Sequence, residues 1–457
     1  MKNLAKTKVL LLIVVLTVAC CPPRASAGES DEIQLLREQL ETQARLLHEM
    51  QERLAQLEAR QESKEKSLTE KIEEVEQKAD KAEAAVAAAP TGPKATWPDR
   101  ISLSGDFRYR HESIDAERNA NGGVDWRDGR SRHRIRARAM ISAIVNDEWD
   151  AIIRLATGQR ELFVDNRRDM IADPISTNQT LTQSFSKKDW WLDLAYFDFH
   201  PASVKGLNVY GGKINNPFFT PGATELIWDG DLTPEGIGVV YSRPLSEKDT
   251  LNLAGGGFWV QESSAGADTS LWGIQSYWKH AMDKDYILAG AGYFDYANIQ
   301  GLADRYGVLA GNTPTPGGGA WGSDFNLFEM FAEYGTHIGG LPISFYGDWV
   351  NNLSAVTDKD TGWLIGTSIN KCKDPGSWAA RYNYRELQAD AVVGAFTDSD
   401  FIGGGTDGKG HEFGFDYQLH KNVQLGLTYF HNQLDRGAGS NGLDYRRLQA
   451  DIVVKFK

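Results

Sequence analysis

The stretch Arg130-Ser-Arg-His-Arg-Ile-Arg-Ala-Arg-Ala-Met-Ile-Ser-Ala-Ile-Val-Asn146 decides the fold. Arginines occupy alternate positions, and apolar residues fill the other positions from Ile135 to Val145. Successive side chains of a strand point to opposite faces, so the arginines share one face and the apolar residues the other. A strand with water on one side and lipid on the other has this pattern. We call the five arginines the arginine ladder: Arg130, Arg132, Arg134, Arg136 and Arg138.

The composition of the 457 residues changes sharply at Trp97. No Phe, Trp or Tyr precedes this residue, and the only glycines before it are Gly28 and Gly92. This change predicts a helical front part followed by a β-rich body. The formal net charge is −13, whereas nucleic-acid-binding proteins carry a basic surface. We therefore expect no nucleic-acid partner.

The first residues, 1–27, have the organisation of a signal peptide. A lysine-rich start precedes the apolar run Val9 to Ala19, and Ala25-Ser26-Ala27 fits a cleavage site. Lipid attachment at Cys20 is the alternative. Cleavage after Ala27 leaves Cys372 as the single cysteine, which excludes an internal disulfide framework.

Residues 28–86 carry the heptad spacing of a coiled coil. Ile33, Leu40, Leu47 and Leu54 recur every seven residues, with charged residues on the flanks. A single solvated helix is the alternative interpretation. The proline-containing stretch 87–100 is predicted to be a linker.

The body, 101–457, is predicted to be an all-β, antiparallel transmembrane β-barrel of about sixteen strands. Apolar and polar residues alternate in recurrent segments, and short turns alternate with long, glycine-rich loops. No apolar run in this part approaches a membrane helix, and only helices and closed barrels satisfy every backbone group in lipid. A soluble β-sandwich is the alternative, but it rarely needs so many strands. Both ends of the body fall on the short-turn side, which predicts a periplasmic coiled coil.

The first two predicted strands form a hairpin that gathers charge on one face. The expected register places Arg108 opposite Arg134, Arg110 opposite Arg132 and Asp106 opposite Arg136. Like charges directly opposite each other are destabilising unless water fills the channel or acids approach from elsewhere. Solvated arginines near a rim are the alternative. The candidate pore-lining residues are Asp106, Arg108, Arg110, Arg132, Arg134, Arg136 and Arg138.

Several stretches resemble a known family: Ile101–Glu112, Asp128–Arg138, Asn146–Trp149, Arg154–Gly158, Ser176–Thr180, Asp193–Asp198, Gly212–Phe218 and Trp228–Gly236. They are similar to the putative porin family of proteobacterial outer membranes, and the likeness covers nearly all of 101–457. The resemblance implies a pore in the outer membrane and a plan related to the trimeric general porins. The phosphate-selective porins also join a coiled coil to an arginine-lined channel, which makes anion preference a secondary expectation.

The segment Asn215 to Gly236 is the candidate constriction loop. It follows the fifth predicted strand, and in the trimeric porins the loop at that position folds inward. Its acids are the candidate partners of the arginines, and the two sets of charge would create a transverse field across the channel. These acids are Glu225, Asp229, Asp231 and Glu235.

We therefore expect an outer-membrane porin for passive diffusion of small hydrophilic solutes or anions. Its expected partners are membrane lipid and two further copies in a homotrimer. One alternative is a structural barrel that tethers the membrane to the cell wall through its coiled coil. Another is an outer-membrane hydrolase, although no nucleophile motif supports it. The sequence predicts no catalytic residues, no metal site and no cofactor, and the calcium-like stretch Asp358 to Gly362 lacks the spaced Glu of an EF-hand.

Overall fold

The computed structural model describes Glu52 and residues 97–117, 129–161, 171–182, 184–264, 266–303, 309–435 and 442–457. From Trp97 onward these residues belong to one compact unit, Ala95–Lys457. The predicted signal peptide lies outside the described residues, as do the predicted coiled coil (apart from Glu52) and most of the linker. All three stay predictions.

Sixteen long strands make up the described part of this unit, each formed by a stretch of alternating apolar and polar residues. The strands are β1 Ile101–Ala116, β2 Arg130–Asn146, β3 Trp149–Thr157, β4 Trp190–Phe199, β5 Leu207–Lys213, β6 Glu235–Pro244, β7 Asp249–Gln261, β8 Thr269–Met282, β9 Asp285–Ala297, β10 Asn326–Ile338, β11 Leu341–Asn352, β12 Thr361–Ile369, β13 Trp378–Leu387, β14 Gly408–His420, β15 Val423–Leu434 and β16 Leu443–Phe456.

The strands form one closed antiparallel barrel. Each strand pairs with the next along the chain, and β1 also pairs with β16, so the sheet has no free edge. At this seam Gly105 lies opposite Phe456. A side chain added at Gly105 would meet the carbonyl oxygen of Arg138 at 2.1 Å, so the close approach of β1 to β2 requires glycine there. The prediction of an all-β barrel of about sixteen strands is confirmed.

Short elements lie between the long strands. Gln179–Thr180 pairs with β2 at Arg134 and Ile135. The remaining short strands and the single-turn 3-10 helices are Arg160–Glu161, Ile171–Ala172, Trp97–Arg100, Pro221–Ala223, Leu309–Gly311, Gly394–Phe396 and Phe401–Gly403. None of the helices among the described residues is long and apolar enough to cross a membrane.

The barrel wall is apolar on its outer face and polar on its inner face, which is the reverse of a soluble protein. On β8 the side chain of Ile274 is 64 % exposed, whereas that of its neighbour Gln275 is 1 % exposed. Large apolar residues are exposed in the same way on the outer face of β1, β2 and β3. Polar and charged residues of alternate parity are buried on the inner face, as with Asp106, Arg110 and Glu112 of β1. An apolar outside and a polar inside are typical of a barrel in lipid.

The connections alternate in length as predicted. Two-residue turns occur at 147–148, 283–284, 339–340 and 421–422, and all of them lie at the same end of the barrel. Long connections such as 214–234 and 388–407 lie at the other end. Because β1 begins at the short-turn end, the first described residues of the unit lie there too.

We expect Ile274→Arg to destabilise the barrel in lipid vesicles by about 2–4 kcal/mol, because the substitution places a charge on the lipid-facing side near the middle of β8. Denaturant unfolding of the full chain in vesicles measures this change. Ile274→Leu is the matched control and should change the free energy of unfolding by less than about 1.5 kcal/mol. Equal stability of the Arg and Leu variants would contradict a lipid-facing position.

Candidate functional site

The inner faces of β1 and β2 bring the predicted pore-lining residues together, but in a different register. The predicted pairing of Arg110 with Arg132 is wrong by two residues. A shift of two residues leaves every side chain on its predicted face, because the side-chain period of a strand is two. The observed pairs are Asp106–Arg138, Arg108–Arg136, Arg110–Arg134 and Glu112–Arg132.

We call Arg130, Arg132 and Arg134, which lie nearest the long connections, the upper part of the ladder. Glu112 is the carboxylate that Arg132 and Arg134 share. Its side chain is fully buried and contacts Arg132 and Arg447 directly, the latter at 2.7 Å. Guanidinium nitrogens of Arg134 and Arg110 each lie 3.6 Å from Glu112 Oε1. Four cations therefore share one carboxylate. Removing one partner of such a buried network leaves uncompensated charge, which is strongly destabilising.

Asp106 is the corresponding carboxylate for Arg136 and Arg138, which lie nearer the short-turn end of the barrel. Its carboxylate accepts hydrogen bonds from Arg136 Nε at 3.0 Å and from Arg138 Nε at 2.7 Å. A guanidinium nitrogen of Arg138 also lies 3.4 Å from Asp231. Asp231 in turn accepts hydrogen bonds from the backbone N–H and hydroxyl of Thr177, at 3.1 and 2.8 Å. One acid of the predicted constriction loop therefore does meet the ladder.

The seam of the barrel supplies a carboxylate that the sequence interpretation missed. Asp451 of β16 lies opposite Arg110 of β1 and accepts hydrogen bonds from two of its guanidinium nitrogens, both at 2.7 Å. Arg108 Nη1 is 4.0 Å from the same carboxylate. Closure of the barrel makes the first and sixteenth strands neighbours. The inward parity of Asp451 in its alternating strand was the signal that could have identified this partner.

Further acids come from the segment 388–407, which packs against the inner wall. Asp400 lies 3.0 Å from Arg110 and 2.7 Å from Arg447. Asp398 pairs with Arg385 of β13 at 2.5 Å, and both side chains are buried. The sequence interpretation identified this stretch as a long loop but not as a source of charge for the ladder, since nothing local indicates that it folds inward.

The segment 214–234 crosses to strands that are remote from its own ends. Phe219 donates its N–H to the Gln275 side chain and accepts from it through its carbonyl oxygen, at 2.8 and 2.9 Å. Gly222 donates its N–H to Glu333 at 3.1 Å. Since Gln275 and Glu333 lie on β8 and β10, the segment runs along the inner face of the barrel.

The acids of the predicted constriction loop separate into three groups. Asp231 contacts Arg138 as described above. Glu225 and Asp229 form no ion pair with the ladder in the described part of the chain. Glu235 belongs to β6, is 64 % exposed in its side chain and pairs with Lys213 at 2.9 Å. Glu235 is therefore not among the acids that face the ladder.

An acidic cluster lies where the two inward segments meet. It consists of Glu225 and Asp229 from 214–234 and Asp398 from 388–407. Their carboxylate oxygens lie within 4.8 Å of one another. Burial, and then the neighbouring Asp229 and Asp398, raise the pKa of Glu225 well above its usual range. Burial, and then Asp231 and Asp398, raise the pKa of Asp229 well above its usual range as well. Burial would also raise the pKa of Asp231, but the cations of Arg136 and Arg138 hold it below its ordinary value.

A second group of metal-ligating types, Asp150, Asp198 and His200, lies at the short-turn end. The sequence interpretation predicted no metal site. Acidic groups with this spacing are common without a bound ion, and neither group carries a further sign of a ligand.

Comparison with known proteins gives a family and a fold. The family described as "Putative porin" matches residues 115–317 and 331–456. OprB of Pseudomonas putida shares 12 % identity and a TM-score of 0.50, covering 78 % of this chain and 94 % of that chain. OmpF of Salmonella typhi shares 12 % identity over 78 % of this chain and 97 % of its own, with a TM-score of 0.46. A triple mutant of the Rhodopseudomonas blastica porin shares 12 % identity over 78 % and 100 %, with a TM-score of 0.43. No curated protein matches the sequence.

We expect Glu112→Gln to lower the free energy of unfolding by about 3 kcal/mol or more, because the amide leaves Arg132 and Arg134 without a carboxylate. Asp115→Asn, an exposed position on the same strand, is the matched control and should change it by less than about 0.5 kcal/mol. Denaturant titration of both variants in detergent measures the difference. A tolerated Glu112→Gln would show that the arginines are neutralised by other groups.

We expect Glu225→Gln to stabilise the protein relative to the wild type, and this gain to grow as pH rises from 5 to 8. A carboxyl group whose pKa is raised on folding lowers the free energy of unfolding as pH rises above the group's unfolded pKa of about 4.3. The amide of glutamine does not titrate and has no such effect. The gain should therefore be larger at pH 8 than at pH 5. Denaturant titrations at several pH values measure it, and the exposed Glu235→Gln is the control. A gain that is independent of pH would contradict the raised pKa.

Proposed function

The chain belongs to the putative porin family, and on this premise we propose that it forms a water-filled channel for passive diffusion of small hydrophilic solutes and ions. Family membership and the barrel fold imply an outer-membrane location. They also indicate a channel rather than an enzyme.

The inward-facing arginine ladder is the observation that carries the proposal. Burying guanidinium groups inside a closed barrel is unfavourable unless each is paired or hydrated. Arg132 and Arg134 share the carboxylate of Glu112 with Arg110 and Arg447, so this carboxylate balances their charge only in part. A purely structural barrel would be more stable with an apolar interior, whereas a channel for charged or polar solutes requires a polar wall.

We assign the narrow part of the channel to Arg108, Arg136 and Arg138, with Asp106 and Asp231 as the opposing charges. Arg138 is the most exposed of these arginines, at 22 % of its side chain. Arg110 and Arg134 are held in the ion-pair network of Glu112. On the inner faces of β1 and β2 the arginines outnumber the carboxylates Asp106 and Glu112, which favours anions over cations.

The proposal includes a homotrimer, because the inward course of the 214–234 segment after the fifth strand resembles the plan of the trimeric porins. It also includes anion preference. The tethering alternative depends on the predicted coiled coil, which lies outside the described residues, and no observation on the barrel favours it.

We expect the double variant Arg136→Gln, Arg138→Gln to lower the chloride-to-potassium permeability ratio by roughly threefold or more, because Asp106 and Asp231 then dominate the local field. Reversal potentials in planar bilayers under a KCl gradient measure this ratio. Asp231→Asn should shift it in the opposite direction. Arg446→Gln, on the outer face of β16, is the matched control and should leave it unchanged. An unaltered ratio in the double variant would refute the assignment, and absence of any conductance in the wild type would refute the channel.

A further inference from the structure

A cavity of about 530 Å³ lies against the upper part of the ladder. Four arginines line it, namely Arg130, Arg132, Arg134 and Arg447. The cavity is bounded by β1, β2 and β16, by the inward segment 388–407, and by residues 159, 173–176 and 310–311.

The cationic side of the cavity has an excess of positive charge. In the described part of the chain, Glu112 is the one carboxylate that forms an ion pair with Arg132 or Arg134. The same carboxylate is shared with Arg447, which Asp400 also contacts. Four arginines line the cavity against three neighbouring carboxylates, Asp173, Glu112 and Asp400, so this wall attracts an anion.

The rest of the lining is mixed, with polar groups from Gln159, Asp173, Ser176, Ser399 and Tyr445 beside an apolar part. Ala310 and Ala395 contribute small apolar side chains, and Ile114 contributes a larger one. Gly403, Gly404 and Gly405 line the cavity as well, and all three adopt positive φ angles of 81°, 97° and 84°. Side chains are strained in this backbone conformation, so glycine is favoured at all three positions and the cavity stays wide.

We propose that this cavity binds small organic anions in which one carboxylate is joined to an apolar body. This inference rests on the proposed channel and names the solute class of its binding site. The carboxylate pairs with Arg132 and Arg134 through charge-assisted hydrogen bonds, and the apolar body covers the alanine and glycine wall. An inorganic anion would use the arginines but leave most of the cavity unfilled. A neutral sugar would leave the excess charge unpaired.

The test uses the full-length protein in planar bilayers, with the KCl current as the readout. Pentanoate is the probe, pentanamide its neutral analogue and inorganic phosphate the inorganic anion. We expect pentanoate to reduce the current saturably and the other two to have little effect at the same concentration. Arg132→Gln should raise the half-blocking concentration about tenfold, because it removes a charged hydrogen-bond partner. Arg446→Gln, whose side chain lies on the outer face, should leave that concentration unchanged.

Each outcome decides between distinct conclusions. Equal block by phosphate would overturn the organic-anion assignment in favour of a general anion site. Equal block by pentanamide would show that the arginines take no part. A wild type that conducts but is not blocked by pentanoate would overturn the binding site while leaving the channel intact. A wild type without conductance would overturn the channel itself. If Arg132→Gln does not insert, Arg132→Lys, which keeps the charge, replaces it and should weaken block by a smaller factor.

Discussion

Electrostatic repulsion between guanidinium groups on two adjacent strands is the constraint on which the inner architecture depends. Arg108 lies opposite Arg136, and Arg110 lies opposite Arg134. Such pairs are unfavourable in isolation, so carboxylates have to reach them from other parts of the chain. Asp106 and Glu112 come from β1 itself, Asp451 comes across the seam, and Asp231 and Asp400 come from two segments that fold inward. The course of both segments is therefore tied to the charge of the wall.

The same ion pairs determine both the shape of the interior and its electrostatic field. Asp400 holds the 388–407 segment against the wall and lowers the local positive charge through Arg110 and Arg447. Asp231 does the same for the 214–234 segment through Arg138. A change of charge at either residue alters the position of a segment as well as the potential. Selectivity and geometry are consequently not independent properties in this barrel. The acidic cluster of Glu225, Asp229 and Asp398 adds a contact between the two segments that depends on protonation.

The sequence was sufficient for the fold class and for the face on which each charge lies, because both follow from a period of two within single strands. The alternation of arginines from Arg130 to Arg138 predicted that these side chains share the inner face. The register of β1 against β2 could not be obtained in this way, because a shift of two residues preserves every face. Asp400 and Asp451 were missed because their role depends on contacts across more than 250 positions of sequence. Glu235 was assigned to the loop because the connection ends two residues earlier than its composition suggested.

The contact between Arg110 and Asp451 joins positions 341 residues apart, and it has a consequence for assembly. Contacts of such long range form late, because the entropy of closing the chain between them has to be overcome first. Until β16 arrives beside β1, Arg110 lacks this carboxylate. The ion pair of Arg110 with Asp451 then favours the register in which Gly105 lies opposite Phe456. The residues that shape the interior of the finished barrel thus also guide the step that seals it.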